Sequence, residues 1–206
     1  MLDQAVYRIT DPAVVRALVT DHSWVTLVSD LPDGLVVSHL PVLVDDAGAD
    51  EVAVVGHLAR VDADEHELGR HPVVLVVQGP QGYVTTAWYA DGPAVPTWNF
   101  VVAHLHGTPE ILDADATYDV LERTVDQYET ARPEPFRLQD VPDYAHRLAP
   151  HTTGFRLVAS RVQAKAKLSQ DKSAADRTGV VAGLETDPVH ANPALAARMR
   201  ADGVVP

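Results

Sequence analysis

Val95-Pro-Thr-Trp-Asn-Phe-Val-Val-Ala-His-Leu-His106 puts a proline-braced turn, a Trp-Asn pair and two histidines onto what reads as one long buried strand, running to about Glu110. That is more polar, ring-bearing chemistry than a core strand needs, and it points to something bound nearby. β-rich runs surround it. Trp24–Ser29 and Leu35–Val44 flank Leu-Pro-Asp-Gly, a hairpin signal. Glu51–Ala59 gives a third strand, and Val73–Gln78 with Tyr83–Trp88 around Gly79-Pro80-Gln81-Gly82 predicts a second hairpin. Phe155–Lys167 alternates as a last strand.

Helices are expected at the margins. Thr10-Asp11-Pro12 caps an N-terminal helix, Asp113 and Asp115 cap one over Ala116–Thr130, and a Pro-rich connection from Arg132 to Pro142 leads into a short helical segment. Ser173-Ala-Ala-Asp176 has capping-box spacing, with Asp where Glu is usual, and Asn192-Pro193 starts a final helix. Six or seven strands with peripheral helices predict a mainly β fold, an antiparallel β-barrel of α+β type. It is expected as one domain over 1–206 with a C-terminal helical extension at about 173–206.

Composition narrows the chemistry. The 206 residues are 46% hydrophobic and 22% charged, as in ordinary globular proteins. Without cysteine, disulfides, thiolate metal sites and cysteine nucleophiles are excluded. A net charge of −13 repels phosphate backbones, so DNA is not an expected partner. No apolar run approaches the roughly 20 residues of a membrane span, and no basic region followed by an apolar segment stands near Met1, so a cytoplasmic protein is expected. Phosphate-binding glycine loops, Gly-x-Ser-x-Gly and His-Glu-x-x-His are all missing.

What remains is a set of histidines at strand positions: His39, His57, His104 and His106. Each can ligate a metal or haem iron, donate to a bound ring, or satisfy a buried backbone group. His104 and His106 are two apart and share a strand face, but no third ligand stands at matching spacing for a mononuclear metal. His57-Leu-Ala-Arg60 places an imidazole and a guanidinium where a strand gives way to a loop, a setting suited to gripping phosphate or carboxylate. Trp88, Tyr89 and Trp98 read either as core aromatics or as walls for a planar cofactor. Lys165, Lys167, Ser169, Gln170 and Lys172 read as a solvated strand end or as the closure of an anion site.

His39-Leu-Pro-Val, Gly56-His-Leu-Ala-Arg60, Val76-Val-Gln-Gly-Pro80, Ala87-Trp-Tyr89, Val95-Pro-Thr-Trp-Asn-Phe100, Lys167-Leu-Ser-Gln170 and Asp176-Arg-x-Gly-Val resemble, in this order along nearly the whole chain, the PaiB family of FMN-binding regulators. The resemblance implies an FMN-binding split barrel, generally a homodimer with its cofactor between subunits. Trp98, Asn99, Arg60 and Lys167 would then be cofactor-binding residues. Two departures stand out. The family carries a Ser-Lys shortly after its Trp-Tyr, where this chain has Ala90-Asp-Gly-Pro, and its Ala-Asn-Pro and tryptophan after the arginine are Val61-Asp-Ala-Asp-Glu-His66 here. Carboxylates in place of a lysine disfavour a dianionic flavin phosphate.

A branch of PaiB-like proteins, the piperazate synthases, is similar in fold and binds haem b. They close an N–N bond in an amino-acid substrate, N5-hydroxy-L-ornithine, with loss of water. For this chain that resemblance implies His57 as axial ligand to haem iron with His39 as the alternative, and His104, His106 and Asp64 or Glu65 as proton carriers. Arg60 or Lys167 would meet a haem propionate or the substrate carboxylate. The competing reading is an FMN-binding regulator or an FMN-dependent reductase.

Overall fold

The computed structural model describes residues 4–90 and 92–205. Among them are nine strands: β1 (Arg8–Ile9), β2 (Trp24–Leu31), β3 (Gly34–Asp45), β4 (Ala53–Ala59), β5 (Val73–Val84), β6 (Thr97–Gly107), β7 (Glu110–Ile111), β8 (Thr152–Val158) and β9 (Arg161–Lys167). Hydrogen-bonded neighbours follow the order β1-β9-β6-β5-β2-β3-β4-β8-β7. The helices are α1 (Pro12–Asp21), α2 (Arg60–Glu65), α3 (Ala114–Glu129), α4 (Pro142–Leu148), α5 (Ala174–Thr186) and α6 (Pro193–Ala201). No described helix is long and apolar enough to cross a membrane. The mainly β architecture with peripheral helices is as the sequence predicts. The chain partitions into two compact units, one from Met1–Thr10, Gln78–Ala103 and Gln163–Pro206, the other from Asp11–Val77 and His104–Val162.

In the second unit β2 and β3 form the expected hairpin, in antiparallel register from Trp24↔Pro41 to Leu31↔Gly34. Pleating sends Val25, Leu27, Ser29 and Leu40 into the core. The opposite face carries Trp24, Thr26, Val28, Leu35, Val37 and His39, with Trp24, Leu35 and Val37 each more than half exposed. β4 pairs with both β3 and β8. α3 lies over them, capped by Asp113 Oδ1 accepting from Ala116 N at 2.9 Å, and packs Val120 on Leu43 and Val55.

In the first unit Arg8 and Ile9 pair antiparallel with Lys165 and Ala164. The opening stretch interlocks with Lys-Leu-Ser-Gln here. Lys167 Nζ donates to Thr97 Oγ1 and, at 2.8 Å, to Trp98 O, while Asn99 Nδ2, wholly buried, donates to Ser169 Oγ at 2.9 Å. Ser169 occupies the left-handed region at φ 65°, and Gln170 braces that bend by accepting from Leu168 N and donating to Ala166 O, both at 2.7 Å. Trp88 seats against α5, with its indole N–H donating to Asp187 Oδ2 at 3.1 Å.

Three local expectations are corrected. There is no second hairpin at Gly79-Pro80: β5 runs unbroken from Val73 to Val84, because its pairing with β2 ends at Val76 and the proline therefore costs no bond on that side. The last strand is two strands, broken at Ala159–Ser160, whose amides turn to Val52 O and His106 O, both at 2.9 Å. The Ser173 cap forms, accepting from Asp176 N at 3.1 Å, but the Asp176 carboxylate accepts instead from Ala90 N at 2.8 Å and ties the preceding loop to α5.

A Cβ at Gly183 would stand 2.3 Å from two atoms of the Trp88 indole, whereas one at Gly48 meets nothing closer than Glu51 Oε2 at 3.5 Å. Gly183→Ala is expected to lower stability by about 2 kcal/mol, overpacking outweighing the helix-propensity gain of ~1 kcal/mol, with Gly48→Ala within ~0.5 kcal/mol of the parent in urea unfolding.

Candidate functional site

His57 sits on β4 opposite Gly154 of β8. It shares the strand face of Val55, the face that α3 covers. Its Nδ1 is buried without a hydrogen-bond partner, and burial holds the ring's pKa below the ordinary histidine value, so the imidazole is neutral near pH 7. It lines a cavity of about 350 Å3 between α3 and α4. The walls are Leu121 and Val125 of α3, Phe136, Leu138 and Val141 of the connection, and Leu148 of α4. No charged side chain lines this space. A largely apolar pocket with a few polar groups, here His57, Thr124, Tyr144 and Thr152, is the usual form of a cofactor site, and its volume lies within the range of roughly 300–1,000 Å3.

A second, more polar cavity of about 640 Å3 shares Ala149 and Thr152 with the first. Arg60, at the start of α2, lines it, and its Nε donates to Pro150 O at 2.8 Å. Asp115, Tyr118 and Asp119 of α3 face the same space, as does His146 of α4, whose ring stacks on Tyr118 with centroids 4.3 Å apart and planes 18° from parallel.

Arg60 and His57 thus line adjoining cavities. The other sequence-singled residues lie elsewhere. His39 stands on the open face of the β2–β3 hairpin, with Nδ1 3.1 Å from Thr26 Oγ1. His104 and His106 are edge-on neighbours at 6.4 Å between centroids. Arg161 Nη2 donates to His106 Nδ1 at 2.9 Å, which makes that nitrogen the acceptor and puts the ring proton on Nε2. Burial, reinforced by His106 and Arg161, depresses His104. Glu65 and Asp64 are exposed on α2, and neither lines the His57 cavity. In the first unit Asn99 and Lys167 serve the interlock described above, burial lowers the pKa of Lys167, and Trp98, 54% exposed, meets Tyr83 edge-on at 6.1 Å.

Sequence reasoning missed the roof of the His57 pocket, the Tyr118–His146 stack, and His66. The last is fully buried, with Nδ1 2.7 Å from Ser29 Oγ and Nε2 2.9 Å from Ser38 Oγ. Both ring nitrogens are satisfied, and the role is structural. The only local sign of the roof is the length of the Pro-rich connection, too long to be a simple turn.

A family model described as "Putative FMN-binding domain" matches residues 1–161. Among characterised relatives, protease synthase and sporulation protein PAI 2 of Bacillus subtilis is 26% identical over 183 residues, covering 88% of this chain and 87% of that one. An uncharacterized Aspergillus fumigatus protein is 31% identical over 179 residues, covering 76% and 68%. Among solved structures, a FAD and heme binding protein from Mycobacterium smegmatis superposes with a TM-score of 0.59 at 16% identity, over 84% of this chain and 78% of its own. A flavocytochrome from Azotobacter vinelandii does so at 0.57 and 16%, over 78% and 69%.

The depressed histidines make stability depend on pH. An unfolded histidine titrates near 6.5, and His57, His66 and His104 resist protonation when folded, so their contribution is complete above about pH 6.5 and is lost as pH falls below it. The melting temperature should drop between pH 7.5 and 5.5, and His66→Gln should remove up to one proton from the uptake on unfolding, read from the slope of stability against pH.

Proposed function

Since the chain belongs to the PaiB-like family of FMN-binding domains and has its split-barrel fold, we propose that it is a haem b enzyme of that family, which cyclises N5-hydroxy-L-ornithine to L-piperazic acid with loss of water. One observation carries the cofactor: a neutral imidazole, His57, with a buried unpartnered nitrogen, in an apolar cavity free of charge. That donor set fits haem better than a flavin phosphate, which asks for cations or a cluster of N–H donors. The haem and flavin chemistry of the two structural neighbours supports the same class of ligand.

His57 would hold the metal, and Leu121, Val125, Phe136 and Leu148 would keep water from the ring face. When bound, haem would supply a Lewis-acidic iron for the hydroxylamine oxygen. The reaction balances without an outside oxidant or reductant: an N–N bond forms, the N–O bond breaks, and the oxygen departs as water with a proton replacing the one shed by the α-amine. Arg60 would orient the substrate through its carboxylate.

The second reading, an FMN-binding regulator, draws on the family description and on the likeness to PAI 2. The charge of −13 weighs against its DNA contact. We also propose a homodimer. The open face of β2–β3 carries Trp24, Leu35 and Val37, with the carboxylate of Asp30 opposite Leu35 at its end, so it is an apolar surface on which two copies can meet with that carboxylate left at the rim.

Purified protein should show a Soret band that His57→Ala removes while the far-ultraviolet circular dichroism is unchanged, and substrate should lose one water by mass spectrometry. A flavin spectrum without iron would overturn the cofactor. Sedimentation should give twice the chain mass, falling to one chain in the Leu35→Asp, Val37→Asp double variant.

A further inference from the structure

Phe136, Leu138 and Val141 close one side of the His57 cavity, and all three come from the connection between α3 and α4, residues 131–141. We propose that this connection is a lid, which lifts from α3 as one piece to let a ligand reach His57 and closes again through a polar latch. This rests on the reading of the His57 cavity as a ligand site, and not on which ring that site holds.

His57 itself requires a moving wall. Its Nδ1 has neither a partner nor solvent access, so a molecule that binds it must first displace part of the cavity's lining. The connection is the part held most lightly. Of the eleven described residues from 131 to 141 none is buried and only Leu138 is half-buried, although three of them form a cavity wall. The opposite is true beneath α3, where Val55 and Val120 are 3% and 2% exposed. A segment with so little buried apolar area opens at a much lower free energy than the strands below it. What holds it shut is a row of carboxylates. Glu122, Asp126 and Glu129 fall at i, i+4 and i+7 and line one side of α3. Gln139 Nε2 donates to Glu122 Oε1 at 2.7 Å, and Arg137 Nη1 meets Asp126 Oδ1 at 3.5 Å. Glu129 Oε2 accepts from Phe136 N and from Arg132 Nε, each at 3.2 Å. These contacts lie at the surface, where water and salt compete for them, so they close the lid without locking it. The connection is also stiff. Its tip folds on itself, with Asp140 Oδ2 accepting from Arg137 N at 2.9 Å and Arg137 O from Asp140 N at 3.0 Å, and Pro133 and Pro135 restrict the approach to it. Beyond it the chain is anchored, since His146 of α4 stacks on Tyr118 and Arg60 Nε donates to Pro150 O at 2.8 Å. A stiff strap between a helix end and an anchored helix pivots, and does not unravel.

The chain has no cysteine, so a Glu122→Cys, Gln139→Cys variant can be bridged across the latch, and there alone, by a bis-maleimide with a reducible spacer. Access to His57 is read by peptide mass spectrometry as its acylation by diethyl pyrocarbonate or, where the purified protein carries haem, as transfer of that haem to excess apomyoglobin. Bridging should stop either reaction and cleaving the spacer should restore it, while acylation of the exposed His39 stays the same throughout. The Arg137→Ala, Gln139→Ala variant should speed access about three- to tenfold, the scale of two exposed polar contacts, and about 1 M salt should speed it in the parent. Melting temperature should be unchanged in both variants. Access indifferent to the bridge, or faster in the second variant only in step with a lower melting temperature, would overturn the lid. A protein isolated without haem whose His57 acylation obeys the bridge would keep the lid and overturn the haem reading.

Discussion

The contact on which the site depends is the seating of α3 on β8 at Gly154. A Cβ there would stand 2.7 Å from Thr117 Oγ1 and 3.0 Å from Thr117 Cα, so only glycine admits the helix at this height. Thr117 Oγ1 accepts from Gly154 N at 3.3 Å, which replaces the backbone pairing that the close approach would otherwise strip away. From this contact the next turn of α3 buries Val120 on Leu43 and Val55, and the following one carries Leu121, Thr124 and Val125 over His57. Gly154 is also the cross-strand partner of His57. The residue without a side chain sets the helix, and its neighbour in register occupies the space beneath.

Two buried histidines in the same unit show how far burial alone falls short of indicating function. His66 is more completely enclosed than His57, yet each of its nitrogens meets a serine hydroxyl, and a neutral ring with one donor and one acceptor asks for nothing more. His57 leaves Nδ1 unpaired in an apolar setting, which costs roughly 1–3 kcal/mol of unmatched desolvation. A fold that carries this cost beside a cavity is not packed for stability alone at that position.

Most of the long strands, the caps at Asp11, Asp113, Ser173 and Asn192, and the placing of His57 and Arg60 at a strand end were legible in the sequence, because each is written in local periodicity or in a residue type at the end of an element. The hairpin at Gly79-Pro80 was not, because the cost of a proline depends on whether its strand has a partner at that point, a fact of topology. The roof of the His57 cavity was hidden for a related reason. Leu121, Phe136, Val141 and Leu148 are ordinary apolar residues on three separate segments, and only the tertiary fold turns them toward one imidazole. The polar content of the opening stretch had a plainer use than a ligand: Thr97, Trp98 O and Asn99 are the partners of Lys167 and Ser169. The matching motifs at residues 95–100 and 167–170 are two halves of one clamp.

Electrostatics then separates the candidate ligands of the two cavities. A flavin phosphate brings two negative charges and needs them met in a partly desolvated space; the His57 pocket presents no lysine or arginine, and the neighbouring cavity offers Arg60 against Asp113, Asp115 and Asp119. In such surroundings a dianion would face more repulsion than attraction. A flat macrocycle with its charge confined to the rim asks only for a neutral donor at the centre and apolar walls, which are the groups the His57 pocket contains. The acidic residues that follow Arg60 are turned outward on α2, so they shape the field around the cavity and not its interior.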